Sequence, residues 1–195
     1  MLRRLIIASL LVAAILTPTA LAAAVKVRVE GKTQTIFGAS QPVVMADNAL
    51  QALDAASTAG EFYYALTPSS FGDYVSQIGK YPAGGTAGWV FKVNGVSPPV
   101  GADKVTLKDG DVVLWYYATF GSSGGPPTLE LRRLPRNCYV AQSVDDAGRH
   151  SLAPAAVLSA GGRRFRTKQG RACIGPHTGL VRATAPGAIR SNAVR

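Results

Sequence analysis

The stretch Gly88 to Tyr117, GWVFKVNGVSPPVGADKVTLKDGDVVLWYY, decides how this chain is built. It holds both tryptophans and two turn signals, and it carries no obvious catalytic group. Trp89, Phe91 and Val93 alternate with Val90 and Lys92, the period of a pleated strand with two unlike faces. Asn94-Gly95 then supplies the two positive-φ positions of a type I′ turn, which predicts a β-hairpin. Asp109-Gly110 marks a second tight turn before Val112 to Tyr117, where β-branched and aromatic residues predict a further strand. Val113, Trp115 and Tyr117 share one side of it, and Val112, Leu114 and Tyr116 share the other.

Outward from this stretch the same strand signals recur. Val25, Val27 and Val29 alternate with Lys26, Arg28 and Glu30, a half-buried opening strand closed by Gly31, and the segment around Thr35 to Phe37 is its natural partner. Val43 to Thr58 turns helical, with Asp47 placed to cap and Ala49, Leu50, Leu53 and Ala56 repeating at helical spacing before Gly60. Between helix and hairpin lie Phe62, Tyr63, Tyr64, Phe71, Tyr74 and Tyr81. Two readings of these rings stand side by side: a packed core, or a platform on which a flat ligand, a sugar or a peptide proline stacks. Pleat parity sharpens the choice, because Trp115 and Tyr116 point to opposite faces and one of them must serve a second surface. Tyr81, with Gly84 and Gly85 of the PAGGTAG loop, is placed to form a rim.

The GW-aromatic-x-VNG hairpin, separated by twelve residues from KDGDVVLW, is similar to the transcobalamin-like C-terminal domain, a module of secreted bacterial proteins. The resemblance covers Val25 to Phe120. It implies an α+β chain whose first domain is β-grasp-like, of the soluble-ligand-binding type: a small mixed sheet with one main helix across it. In the transcobalamins this domain covers one face of bound cobalamin, so cobalamin or another corrinoid enters through the resemblance alone, and fold and site are separate claims. The same resemblance brings Trp89, Phe91 and Asn94, beside the VNG turn, to a ligand. With Tyr81 and Tyr116 they form the expected ligand-binding set.

Residues 1–24 read as a secretory signal: Arg3 and Arg4, an apolar run from Leu5 to Ile15, and small residues around Ala20 to Ala24 for cleavage. An uncleaved N-terminal anchor is the alternative, although the run is short of the roughly 20 apolar residues of a comfortable span. No later segment is apolar enough for one, so the expected location is extracytoplasmic. Composition breaks after Phe120. GSSGGPPT, residues 121–128, reads as a linker or as a long loop inside one domain. Charge breaks at the same place: Val25 to Phe120 carries seven Lys/Arg against eight Asp/Glu, whereas Gly121 to Arg195 carries twelve against three, eleven of the twelve being Arg. Arg163, Arg164 and Arg166 form an expected basic surface, suited to anionic wall polymers or simply solvated. Without interleaved aromatics it gives no reason to expect nucleic acid.

Residues 129–195 predict a second, all-β domain. GGRRFRTKQGRACIGPHTGLVRATAPG resembles, over Pro154 to Gly187, the small β-sandwiches of the transthyretin-like, carboxypeptidase-regulatory-like type, with Lys168-Gln169 where an acidic turn residue is usual. Cys138 and Cys173, the only cysteines, read as a disulfide in an oxidising compartment. Such a loop closure stabilises by about 3 to 4 kcal/mol in the chain-entropy model. With His177 they fall short of a four-ligand zinc set, so no metal is expected. His150 and His177 have no nucleophile in a recognisable setting, and Asp145-Asp146 and Asp109/Asp111 read as turn residues, so no catalytic residues are expected. The expected function is a non-enzymatic binding or interaction module for a small ligand or a cell-surface protein. The alternative is a structural or adhesive envelope protein that holds anionic wall polymer through its arginines.

Overall fold

A computed structural model describes residues 22–69, 72–122 and 124–195 of the chain. The expected signal falls, except for its last three residues, outside the described residues, as does Phe71. In chain order the first half holds β1 (Ala23–Glu30), β2 (Thr35–Phe37), β3 (Val43–Ala46), helix α1 (Ala49–Gly60), β4 (Tyr64–Thr67), β5 (Tyr74–Ile78), β6 (Tyr81–Pro82), β7 (Ala87–Val93) and β8 (Val112–Thr119). The second half holds β9 (Thr128–Leu134), β10 (Cys138–Val144), β11 (His150–Leu152), β12 (Val157–Ala160), β13 (Arg163–Arg166), β14 (Arg171–Cys173) and β15 (Val181–Thr184).

In the main sheet of the first half β1 lies beside β8 in parallel, with Val27 opposite Val113 and Val29 opposite Trp115. β2 and β3 pair antiparallel with the two ends of β1, and β7 pairs antiparallel with β8. Asn94 (φ 52°) and Gly95 (φ 84°) do turn the chain tightly, with Val93 and Val96 exchanging both backbone hydrogen bonds. The expected hairpin goes no further than that one bridge, because Pro98 and Pro99 follow and lack the N–H that a returning strand must donate. The partner of β7 is instead β8, beyond the Lys108 to Asp111 turn.

Helix α1 starts six residues after the expected Val43, and its cap lies one residue beyond the expected Asp47. Its cap is Asn48, whose side-chain oxygen accepts from the backbone N–H of Leu50 and Gln51, while the Asp47 N–H donates to the side-chain oxygen Oε1 of Gln51. Residues 43–46, included in the expected helix, are β3. The buried stripe is Ala49, Ala52, Leu53 and Ala56; small side chains let the helix lie close over Val25, Val27, Val113 and Trp115 in one core.

Strand makes up 49 % of the described residues and helix 9 %, with a single α-helix among them, so the chain is all-β and sandwich-like and the expected α+β class is overturned. The physical reason is that two-residue alternation runs through both halves, while the 3.6-residue period lasts only for the twelve residues of α1. In the second half β9, β10, β11 and β14 form one sheet and β12, β13 and β15 another. Leu129, Leu131, Tyr139, Leu158, Val181 and Ala183 fill the core between them. Cys138 faces Cys173 across β10 and β14, and the two are joined as a disulfide.

Arg28 and Glu30, read as the solvent side of β1, are buried. The second half covers that face of the main sheet. Its C-terminal segment runs past β9, where Ile189 bridges Thr128, and reaches the first half through the Ala193 N–H, which donates to the Ala39 carbonyl.

Candidate functional site

The two faces of β7 and β8 gather most of the residues expected to carry function. On the helix side, Trp89 packs edge-on to Tyr117 at 5.5 Å and Phe91 stacks on Trp115 at 5.0 Å. The ring N–H of Trp89 donates to the Tyr81 carbonyl (2.8 Å), and that of Trp115 donates to the Ala49 carbonyl (3.1 Å). Tyr81 is half-buried, with its hydroxyl on Thr33. A tryptophan whose N–H is already satisfied contributes packing and leaves only an edge for a ligand.

Beside that edge lies a groove of about 470 Å³. Tyr74, Trp89, Val90 and Phe120 line it, and the 83–88 loop forms its rim, including the expected Gly84 and Gly85. Tyr74 is 48 % exposed and Phe120 42 %, so two rings stand open to solvent next to a nearly buried third. Of the five expected ligand-binding residues, Trp89 alone lines this groove.

The other four are placed elsewhere. Phe91 is half-buried in the core under α1. Asn94 is occupied in holding its own turn: its amide donates to Asp111 (2.8 Å) and its carbonyl oxygen accepts from the Val112 N–H (2.9 Å). Tyr116 is 3 % exposed and packs with Leu114, Ala118 and Ile189 against the second half. Parity did put Tyr116 on the second surface of the sheet, but that surface is closed by protein. Burial, followed by the nearby Asp146 charge, pushes its hydroxyl up to about 12.

The closed face is charged. Glu30, fully buried, accepts from Arg28 (3.0 Å), Thr35 (3.0 Å) and Arg190 (2.9 Å), and from Arg182. Two of those arginines belong to the second half, so one carboxylate gathers three guanidinium groups across the junction. Lys92, also fully buried, donates to the carbonyls of Asp145 (2.8 Å) and Val144 (3.1 Å) and lies 3.3 Å from the Asp146 carboxylate. Burial holds Lys92 below its usual range, with Asp146 opposing. Sequence reasoning missed this junction. Lys92 within an otherwise apolar run was the available signal, since strand alternation predicts it on the outer face and says nothing of what covers that face.

In the second half Arg163, Arg164 and Arg166 are all exposed on β13, which pairs only with β12. Arg163 lies over the Phe165 ring at 5.2 Å. His177 is structural: its Nδ1 lies 2.9 Å from the Gly175 carbonyl and donates to it, and its Nε2 shares a hydrogen bond of 2.9 Å with the Tyr139 hydroxyl. His150 faces Glu130 at 3.7 Å. Among the described residues no group of three or more His, Cys, Asp or Glu is placed to hold a metal ion, and no helix is long and apolar enough to cross a membrane.

No curated protein matches the chain. Residues 45–119 match the model of a family described as a domain of unknown function (DUF4430). That match runs from β3 to the end of β8, takes in Trp89 and Tyr116, and stops short of the second half. Residues 45–119 are therefore similar to a transcobalamin-like family.

Proposed function

We propose that this chain is a non-enzymatic binding module that works outside the cytoplasm and takes a ligand with a flat apolar face in the groove beside Trp89. The observation that carries this reading is the pair of open rings, Tyr74 and Phe120, flanking the Trp89 edge over a loop of small residues. Exposed aromatics around a concave surface are what stacking recognition needs, whereas a core ring is spent on packing. The transcobalamin-like match over residues 45–119 supports a binding role, and the disulfide is compatible with an oxidising compartment.

A corrinoid is one such ligand. Tyr74, Phe120 and the Gly84-Gly85 rim fit one face of a flat macrocycle, the other face being left to a partner. The same rings serve a sugar or a proline-rich peptide equally well. In this reading the first half recognises and the second half, beyond residues 121–128, braces it.

The test is tryptophan fluorescence of the purified chain titrated with a corrinoid, wall oligosaccharides and proline-rich peptides. One class should change the emission saturably, and Tyr74→Ala with Phe120→Ala should weaken that response at least tenfold. No response to any class, or one that survives the double substitution, overturns the groove.

A second reading rests on β13: three exposed arginines on a strand with one open edge suit an anionic wall polymer. Retention on purified cell walls that falls with salt and is lost on replacing Arg163, Arg164 and Arg166 would favour it.

A further inference from the structure

Between the two halves lies a cavity of about 260 Å³, distinct from the groove at Trp89. The first half contributes Arg28, Lys92 and Leu114 to its wall, and the second half Leu129, Glu130 and Asn192. Both cations are nearly or fully buried, Arg28 at 3 % exposure and Lys92 at 0 %. They are not equally provided for. Lys92 is surrounded by carbonyl oxygens and a carboxylate. Arg28 donates through Nη1 to Glu30 and to the Arg190 carbonyl, and its Nε is a buried donor with no partner among the described residues.

Charge at the junction is out of balance in the same sense. Arg28, Arg182 and Arg190 share the single carboxylate of Glu30, which leaves two positive charges in excess. Arg182 and Arg190 are about one-fifth exposed and reach water, while Arg28 does not. A buried guanidinium with an idle N–H carries the full desolvation cost of that donor. Burial outweighs Glu30 and lowers the Arg28 guanidinium to about 10, the neighbouring Arg182 and Arg190 adding to the effect.

We propose that this cavity is a binding site for a small monocarboxylate with an apolar body, its carboxylate received by Arg28 from the first half and its body lying against Leu114 and Leu129. A carboxylate matches the planar donor fork of arginine. Glu130 in the wall disfavours a dianion such as phosphate, by like-charge repulsion. Leu114, Val112, Leu129 and Val144 offer apolar surface for the rest of the molecule. The volume matches roughly eight or nine waters of liquid, the scale of a free amino acid or a short branched acid. Because the wall is made by both halves, such a ligand would also tie them together.

The experiment is isothermal titration calorimetry, with thermal unfolding, of the purified full chain against 4-methylpentanoate, inorganic phosphate, and sodium chloride at matched ionic strength. The expected result is a one-to-one heat and a saturable rise in melting temperature with 4-methylpentanoate only. Arg28→Gln should weaken that binding at least tenfold. Val112→Phe, which narrows the cavity without touching Arg28 or Glu30, should abolish it with an unchanged circular dichroism spectrum, and this variant keeps the test sound if Arg28→Gln fails to fold. Tyr74→Ala, which truncates an exposed ring of the groove and leaves the core untouched, should leave it intact, which separates this site from the groove. Absence of binding, an equal effect of chloride, tighter binding of phosphate, or affinity undiminished in both cavity variants overturns the proposal.

Discussion

The two faces of the main sheet are closed by opposite chemistry. On one side α1 lays alanines and Leu53 over valines, Trp89 and Trp115, a mainly apolar contact in which each of the two indole N–H groups finds a backbone carbonyl. On the other side the second half covers Arg28, Glu30, Lys92 and Tyr116, all four ionisable and with little or no exposure. The difference teaches that burial and hydrophobicity part company at the junction: the first face is held by area removed from water, the second by pairing that must be complete to be tolerated.

The hardest blow to this contrast is Glu30→Ala. It leaves three guanidinium groups facing one another without a carboxylate, and a broken buried pair costs about 3 to 5 kcal/mol. Urea unfolding followed by tryptophan emission and by far-ultraviolet circular dichroism should show that loss in both signals. A change under about 1 kcal/mol would mean that the charged face is not a structural contact.

Next comes the disulfide, which lies wholly within the second half. Replacing Cys138 and Cys173 by Ser should cost about 3 to 4 kcal/mol in the chain-entropy model. If the halves are one cooperative unit, tryptophan emission, which reports only on the first half, should register the loss as well.

The junction should also be visible in alkali. Burial pushes the Tyr116 hydroxyl up to about 12 in the folded chain, above the ordinary tyrosine value of about 10. The folded state therefore keeps its proton where the unfolded state has lost it, so the stabilising contribution is complete below pH 10 and disappears as pH rises towards 12. Tyrosinate absorbance should show two late-ionising rings, Tyr116 and Tyr64, each pushed up to about 12 chiefly by burial; Tyr116→Phe should remove one of them, and the variant should lose less stability than the parent chain over the same interval.

On the dry face Asn48→Ala removes the cap of α1 and should cost about 1 kcal/mol, read by urea unfolding. The smallest effect is expected at β13. Replacing Arg163, Arg164 and Arg166 by Ala should move stability by no more than about 0.5 kcal/mol, since all three side chains are exposed.

Legibility in the sequence followed the same division. Alternation placed Trp89, Phe91, Trp115 and Tyr116 on their proper faces, and periodicity found the core stripe of α1, because an apolar contact leaves its period in the local text. The disulfide was legible as well, from the even cysteine pair. The class was misjudged because a single helix, prominent in the reading of the first half, was given the weight of a layer. The hairpin was overextended because the Asn94-Gly95 turn is sound while the prolines after it deny a return strand. The junction was invisible for a plainer reason. Polar residues alternating on β1 read as a wet surface, and Arg182 and Arg190, which cover it, lie some 150 positions away. The groove was half legible: Trp89 and the Gly84-Gly85 rim were expected, whereas Tyr74 and Phe120 stood out only once the tertiary fold set them beside Trp89.

That the charged junction joins both halves into one folding unit is tested most directly by peptide-resolved hydrogen exchange across a urea series. Amides of Val27 and Val29 in β1 and of Leu158 and Val181 in the second half should lose protection at the same urea concentration, and should do so together at a lower concentration in Glu30→Ala. Separate midpoints for the two halves in the parent chain, unaffected by Glu30→Ala, would contradict the account.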